Sequence, residues 1–187
     1  MRKIALTGNI ASGKSEVQSV LVSMGYKVLD TDLLGHEILK NSDDVKEAFK
    51  DYDILDNNEI SRAKLGKVVF SDKDLLSKLN AIVHPKIREM ITNFFELNKA
   101  EEKVFVAIPL LFEANMEDLF DEIVFIYADD NIRLDRLKKR NNFSEEEANL
   151  RIHAQVSQKE KLSKSDIIIY NEGTIEALRD EVLKKLC

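Results

Sequence analysis

Residues 8–15 read Gly8-Asn9-Ile10-Ala11-Ser12-Gly13-Lys14-Ser15, and what flanks them decides the fold. The stretch matches G-x-x-x-x-G-K-[ST], a loop whose backbone amides can curl around phosphate. Before it, residues 3–7 form a short apolar, β-prone run. After it, Val17, Val20, Leu21 and Met24 recur at i, i+3, i+4 and i+7 on one helical face. Strand, loop, helix is the context this motif requires. The glycines allow close backbone approach, successive amides make an anion nest, and the helix adds its positive end. Lys14 is expected to pair with the β- and γ-phosphates of a nucleotide, and Ser15 to ligate Mg²⁺. Gly8, Ala11, Ser12, Gly13, Lys14, Ser15 and Glu16 are therefore the candidate nucleotide-binding residues.

Working outward, further short apolar runs lie at 26–29, 104–108, 122–127 and 166–170. Several are nearly continuous in apolar residues, as strands buried on both faces of a parallel sheet must be. Helical patterns separate them, so the chain reads as α/β with a parallel sheet and right-handed crossovers. Ser144 and Glu147 have capping-box spacing, and Asp72 and Thr174 are expected N-caps. Pro85 is expected to open a helix that turns Ile87, Met90, Ile91 and Phe94 inward, with His84 extended at a break before it. The region of about 33–98 shows helical patterns and no convincing strand, so a helical lobe is expected there. A second helical excursion, about 130–165, is rich in Lys and Arg.

Asp30-Thr31-Asp32 follows the second apolar run. In extended chain, residues i and i+2 face one side, so both carboxylates are expected at the sheet's C-terminal edge. Ligands of open α/β sheets bind at that edge. A carboxylate there can accept a hydroxyl proton or hold Mg²⁺ through water; equally, one of the two can cap the next helix.

A phosphate loop alone does not say what is done with the nucleotide. A GTP-dependent switch is one alternative, since Asp32-Leu33-Leu34-Gly35 is formally D-x-x-G. Asn98-Lys99-Ala100-Glu101 departs from N-K-x-D at its last position and precedes a strand instead of ending one. Another nucleotide or small-molecule kinase is the second alternative, because nothing in the loop names the acceptor.

The 187 residues suit one domain with an inserted lobe. With 28 Lys+Arg against 34 Asp+Glu, the net charge of −6 argues against a nucleic-acid partner, which needs a basic face. Cys187 is the sole cysteine, so no internal disulfide forms. No stretch reads as a signal peptide or membrane span. A cytoplasmic chain without membrane or obligate protein partners is expected. His36 and His153 have no companions at metal-ligand spacing, so no zinc site is expected.

Further segments add a resemblance. Leu79-Asn80-Ala81-Ile82-Val83-His84-Pro85-Lys86-Ile87-Arg88 and Pro109-Leu110-Leu111-Phe112-Glu113 follow the loop and the acidic pair in order. Then come Arg133, Arg136 and Arg140, the stretch from Arg151 to Gln155, and Ser165-Asp166-Ile167-Ile168-Ile169 with Asn171 and Gly173. Across essentially the whole chain this order resembles the dephospho-CoA kinase family. H-P-x-I-R and P-L-L-F-E are its more specific motifs.

The resemblance implies a P-loop NTPase-type three-layer fold spanning residues 1–187, with a five-stranded parallel sheet, a helical CoA-binding lobe and a mobile lid. It implies transfer of the ATP γ-phosphoryl group, with Mg²⁺, to the ribose 3′-hydroxyl of dephospho-CoA. Asp32 matches the residue that positions or deprotonates that hydroxyl. Arg140 matches a lid arginine, with Arg136 its competitor; by charge alone their run reads as a solvated helix face. Asn171 falls near the adenine, and His84 and Arg88 in the acceptor lobe. Phe112 can line the acceptor site, although an apolar residue after a buried strand more often packs. Glu113 can support Mg²⁺ or a lid arginine. This sequence departs from the family at Glu16, usually Thr, at Ser165, usually Ala, and at Ala11, often Gly, where a negative φ or modest strain is required.

Overall fold

The structure is a computed structural model that describes residues 1–40 and 42–187. The chain divides into two compact units, Met1–Asp30 with Phe95–Cys187, and Thr31–Phe94.

The first unit is the parallel α/β body. Its strands are β1 (Arg2–Thr7), β2 (Val28–Asp30), β5 (Lys103–Ala107), β6 (Glu122–Tyr127) and β7 (Ile167–Tyr170). They lie in the order β2-β5-β1-β6-β7 and every pairing is parallel. The five apolar runs thus become five strands, within one or two residues at their ends. β5 is buried along its whole length, as a strand covered on both faces must be. Helix α1 (Lys14–Ser23) sets Val17 and Leu21 into a core with Ile4, Leu6, Phe105, Val124, Ile126 and Ile169. Helix α9 (Ile175–Leu186) adds Leu178, Val182 and Leu186 to the same core, after Thr174 accepts the Ala177 amide at 3.3 Å.

Between β6 and β7 lie α6 (Asp130–Asn141), α7 (Glu145–His153) and α8 (Gln158–Ser163). The expected capping box opens α7: the Ser144 hydroxyl accepts the Glu147 amide, and the Glu147 carboxylate accepts the Ser144 amide at 2.9 Å. Leu137, Ala148 and Ile152 bury against one another and against Ile10 and Ala11 of the phosphate loop. Because the strands are parallel, the segments that follow β1, β2, β5, β6 and β7 emerge along one edge of the sheet.

The second unit holds α2 (Thr31–Lys40), α3 (Asp43–Ala48), α4 (Arg62–Val69) and most of α5 (Lys73–Leu97). Val45, Phe49, Ile54, Leu65, Val69, Leu79 and Val83 form its core. Asp72 caps α5 as expected, accepting the Asp74 amide at 2.8 Å.

Two expectations about this region are corrected. It is not purely helical: β3 (Leu55–Asp56) and β4 (Glu59–Ile60) pair as an antiparallel hairpin. Its two-residue turn is Asn57-Asn58, with φ of 49° and 70°, the left-handed pair that a tight hairpin needs. Nor does the chain break at His84. Pro85 lies inside the continuous helix α5. An internal proline costs a helix about 3 kcal/mol, but Leu79 and Val83 before it and Ile91 and Phe95 after it are all buried. Packing along one face overrides the local preference.

The candidate phosphate and acceptor site

The loop between β1 and α1 is shaped from inside and gripped from outside. Ser12 donates its amide to the Asn9 carbonyl at 3.0 Å, closing the first turn. Gly8 has no room for a side chain, since a Cβ there would lie 2.5 Å from Ser12 Oγ and 2.9 Å from the Ile126 carbonyl. Gly13 has φ +95°, and its Cβ would fall 1.9 Å from Asn171 Nδ2. Gly13 starts α1 without a capping side chain, which leaves the positive helix end to an anion. Ala11 adopts φ 62°, so of the two outcomes open for this alanine the strained one holds.

The carbonyls of the loop are taken up by later parts of the chain. Arg133, 1% exposed, donates Nε to the Ile10 carbonyl at 2.9 Å and Nη1 to Asp130 Oδ1 at 2.6 Å. Burial lowers its pKa from the ordinary arginine value, opposed by the Asp130 carboxylate beside it. Arg136 donates Nη1 toward the Ala11 and Ser12 carbonyls, both at 3.4 Å, and Nη2 to the Asn171 carbonyl at 2.9 Å. Asn171 Nδ2 donates to the Ser12 carbonyl at 2.8 Å. On the opposite side, Asn9 Nδ2 donates to the Val156 carbonyl at 2.9 Å, and the Ile10 amide donates to Gln155 Oε1 at 2.7 Å. The carbonyls of Ile10, Ala11 and Ser12 are thus occupied by donors, which reduces their repulsion of a polyphosphate.

The solvated-face reading of 133–140 therefore fails for its first members. Arg133 is buried and Arg136 partly so, because both serve loop carbonyls. Arg140 alone of the three arginines is exposed; it lies in the last turn of α6 and donates Nε to Asn141 Oδ1 at 2.9 Å. Asn171 is buried, and its amide nitrogen is committed to the loop.

Ser15 and Glu16 are exposed in the first turn of α1, with Lys14 half-buried beside them. Ser12 is fully buried, and its Oγ has no hydrogen-bond partner among the described residues. Asp30 closes β2 and accepts Gln18 Nε2 at 2.8 Å. Asp32 is corrected in one respect. It is not extended with Asp30 but lies, exposed, in the first turn of α2, because the helix starts at Thr31. The i, i+2 rule of an extended chain therefore does not apply to Asp30 and Asp32, since the backbone turns helical between them.

In α5, His84 and Arg88 are both half-buried and one turn apart. An unbroken helix puts such residues on a common face. Burial lowers the His84 pKa, favouring neutral imidazole. Phe112 is buried at 7% exposure, with the Lys164 ammonium 5.7 Å from its ring. The ion-pair partner of Glu113 is a lysine: its Oε1 lies 2.8 Å from the ammonium of Lys161, a fully buried residue. Gln155, Asn9 and Lys161 are the residues that sequence reasoning missed. Asn9 occupies a variable loop position, and Lys161 hides within a charged run. The GTP signature also fails to form: Asn98 starts a turn before β5, its carbonyl accepting the Glu101 amide at 2.9 Å. That is the opposite end of the strand from the phosphate loop.

Among the described residues no three acidic, histidine or cysteine side chains gather as a metal cluster. A Mg²⁺ ion would not require one, because it keeps several waters and takes few protein ligands. The exposed Ser15 hydroxyl at the helix start is a donor of the right kind.

Comparison with known proteins then supplies what geometry cannot. The family model for dephospho-CoA kinase matches residues 2–177. A dephospho-CoA kinase of Oceanobacillus iheyensis is 44% identical, covering 97% of this chain and 96% of its own. The solved dephospho-CoA kinase of Campylobacter jejuni superposes with TM-score 0.76 at 32% identity, over 97% of this chain and 94% of that one. A Thermus thermophilus crystal structure gives TM-score 0.87 at 33% identity, over 100% and 98%. With its P-loop built on a five-stranded parallel sheet and this likeness running nearly end to end, the chain belongs to the dephospho-CoA kinase family.

Proposed function

We propose that the chain transfers the γ-phosphoryl group of ATP to the ribose 3′-hydroxyl of dephospho-CoA, releasing coenzyme A and ADP. The observation that carries the phosphate half is the loop with its Ile10, Ala11 and Ser12 carbonyls occupied by Arg133, Arg136 and Asn171. Family membership supports the acceptor.

Transfer forms one bond from the ribose oxygen to phosphorus and breaks the bridge to the β-phosphate. Asp32 receives or orients the hydroxyl proton, and ADP leaves with the bridging oxygen. Lys14 and the loop amides hold the β- and γ-phosphates. Mg²⁺, where bound, neutralises charge on those phosphates, and Ser15 is the residue that would ligate it. Arg140, exposed on the segment that carries α6 to α8, is suited to close on the transferring group and exclude water. His84 and Arg88, sharing a face of α5, are the acceptor-side residues, and Phe112 is a further residue to line the acceptor. Asn171 acts on ATP through Ser12 and Gly13.

The direct test measures ADP release from ATP with dephospho-CoA, with nucleosides and with nucleoside monophosphates. Dephospho-CoA is expected to be the preferred acceptor. Equal or better turnover with another acceptor overturns this assignment.

A further inference from the structure

The connection between α7 and α8 is fastened on two sides by groups that no phosphate-binding motif contains. Toward the phosphate loop, Gln155 accepts the Ile10 amide at 2.7 Å and the Val156 carbonyl accepts Asn9 Nδ2 at 2.9 Å. Away from it, the Val156 amide points to Glu113 Oε1 at 3.4 Å. That same oxygen lies 2.8 Å from Lys161 Nζ, and Lys161 is 0% exposed. Lys161 also reaches the Pro109 carbonyl at 3.5 Å, and Thr7 at the end of β1 donates its hydroxyl to that carbonyl at 3.4 Å. Residues 155–156 are therefore a strap, with the head of the phosphate loop on one edge and, on the other, an ion pair between a buried lysine and a half-buried glutamate.

A buried ion pair is poor evidence of stability, because desolvating two charges offsets much of their attraction. Its use is geometric. Lys161 turns one Glu113 oxygen toward the Val156 amide, and Glu113 Oε2 and Asn9 Oδ1 are left without partners among the described residues. Asn9 thus directs its amide nitrogen at the Val156 carbonyl, and Glu113 one oxygen at the Val156 amide.

We propose that Glu113 and Lys161 are positioning residues for ATP, setting the head of the phosphate loop through Val156 and Asn9. The inference rests on reading that loop as an ATP site. Neither residue touches phosphate in this scheme; each acts through the strap. Residues that orient metal ligands in this indirect way typically matter by about 10–100-fold, and the same order is expected for this loop.

The test is a double-mutant cycle on the full chain, read by calorimetric titration with ATP and by steady-state kinetics. Lys161→Met is expected to weaken ATP binding about 10–100-fold, with KM for ATP changing more than kcat at saturating ATP. Asn9→Leu is expected to weaken binding by a similar order. Combined, the two should cost no more than about twofold beyond the larger single effect, because they cut one connection. Fully multiplying effects, or unchanged ATP affinity in folded Lys161→Met, overturn the proposal. If Lys161→Met does not fold, two charge-free variants replace it. Glu113→Gln/Lys161→Met keeps an acceptor for the Val156 amide, whereas Glu113→Leu/Lys161→Met removes it. Only the latter should lose ATP affinity; equal affinities overturn the proposal. A wild-type chain that fails to bind ATP would instead sink the reading of the loop itself.

Discussion

Replacing Gly13 with alanine is the sharpest perturbation the loop allows. At φ +95° an alanine sits in the left-handed region, which costs an L-residue about 1–2 kcal/mol. The new methyl would lie 1.9 Å from Asn171 Nδ2 and 3.2 Å from its Cγ, so the amide must leave its place. Forcing a packed group aside adds about 1–3 kcal/mol, and Asn171 then gives up its 2.8 Å bond to the Ser12 carbonyl. The whole effect is about 2–5 kcal/mol, a large share of an ordinary domain's stability. Urea denaturation of Gly13→Ala should show it without any assay of activity. The cause can be isolated with Asn171→Ala, which removes the obstructing amide. In that background Gly13→Ala should cost only its backbone part, so the two changes will be strongly non-additive. Wild-type stability in Gly13→Ala, or simple additivity in the double variant, would refute the argument that Asn171 closes the space above Gly13.

Other predictions separate binding, chemistry and support. Asp32→Asn should lower turnover about 10²–10⁴-fold while ATP affinity by titration stays near wild type; loss of ATP binding would point to a metal role instead. Arg140→Ala should leave thermal stability within about 0.5 kcal/mol yet slow transfer by about 10³-fold or more. Arg136→Ala should instead destabilise by about 1.5–3 kcal/mol, since its hydrogen bonds to loop carbonyls are charge-assisted. The reverse pattern would exchange their roles. His84 has a folded pKa below its ordinary 6.5, caused by burial. The unfolded chain therefore takes up protons first, so stability is full above about 6.5 and falls as pH drops through the lowered folded value. In His84→Leu this part of the acid sensitivity should vanish when denaturation is compared at the two ends of that range.

How much of this was legible depends on whether the cause is local. The strands declared themselves because runs such as Glu122-Ile123-Val124-Phe125-Ile126-Tyr127 are apolar without a helical period. The phosphate loop did so because glycine spacing is a backbone requirement, written directly in residue type. The hairpin at 55–60 was missed, since two-residue strands carry no period; Asn57-Asn58 was its available signal. His84-Pro85 misled because the pre-proline rule is local, while the burial that keeps α5 whole is not. Asp32 reads as extended but is helical, because nothing in Asp30-Thr31-Asp32 marks where the strand gives way to the helix. Arg133 and Lys161 were beyond reach altogether. A charged side chain is buried only if distant carbonyls and carboxylates converge on it, and no neighbour in sequence announces Ile10 or Glu113.

The ties that hold the phosphate loop have a consequence for how the protein is made. Arg133, Gln155 and Asn171 reach back across 123, 145 and 159 residues to residues 10 and 12. A ribosome adding about 5–20 residues per second delivers the last of them about 8–30 s after the motif itself. Until Arg133 is made the nascent chain carries the complete G-x-x-x-x-G-K-[ST] signature with none of the groups that hold its carbonyls, and until Asn171 is made the set stays incomplete. A fragment ending before β7 should therefore possess the signature yet fail to retain ATP in a binding titration; retention at full-length affinity would refute this.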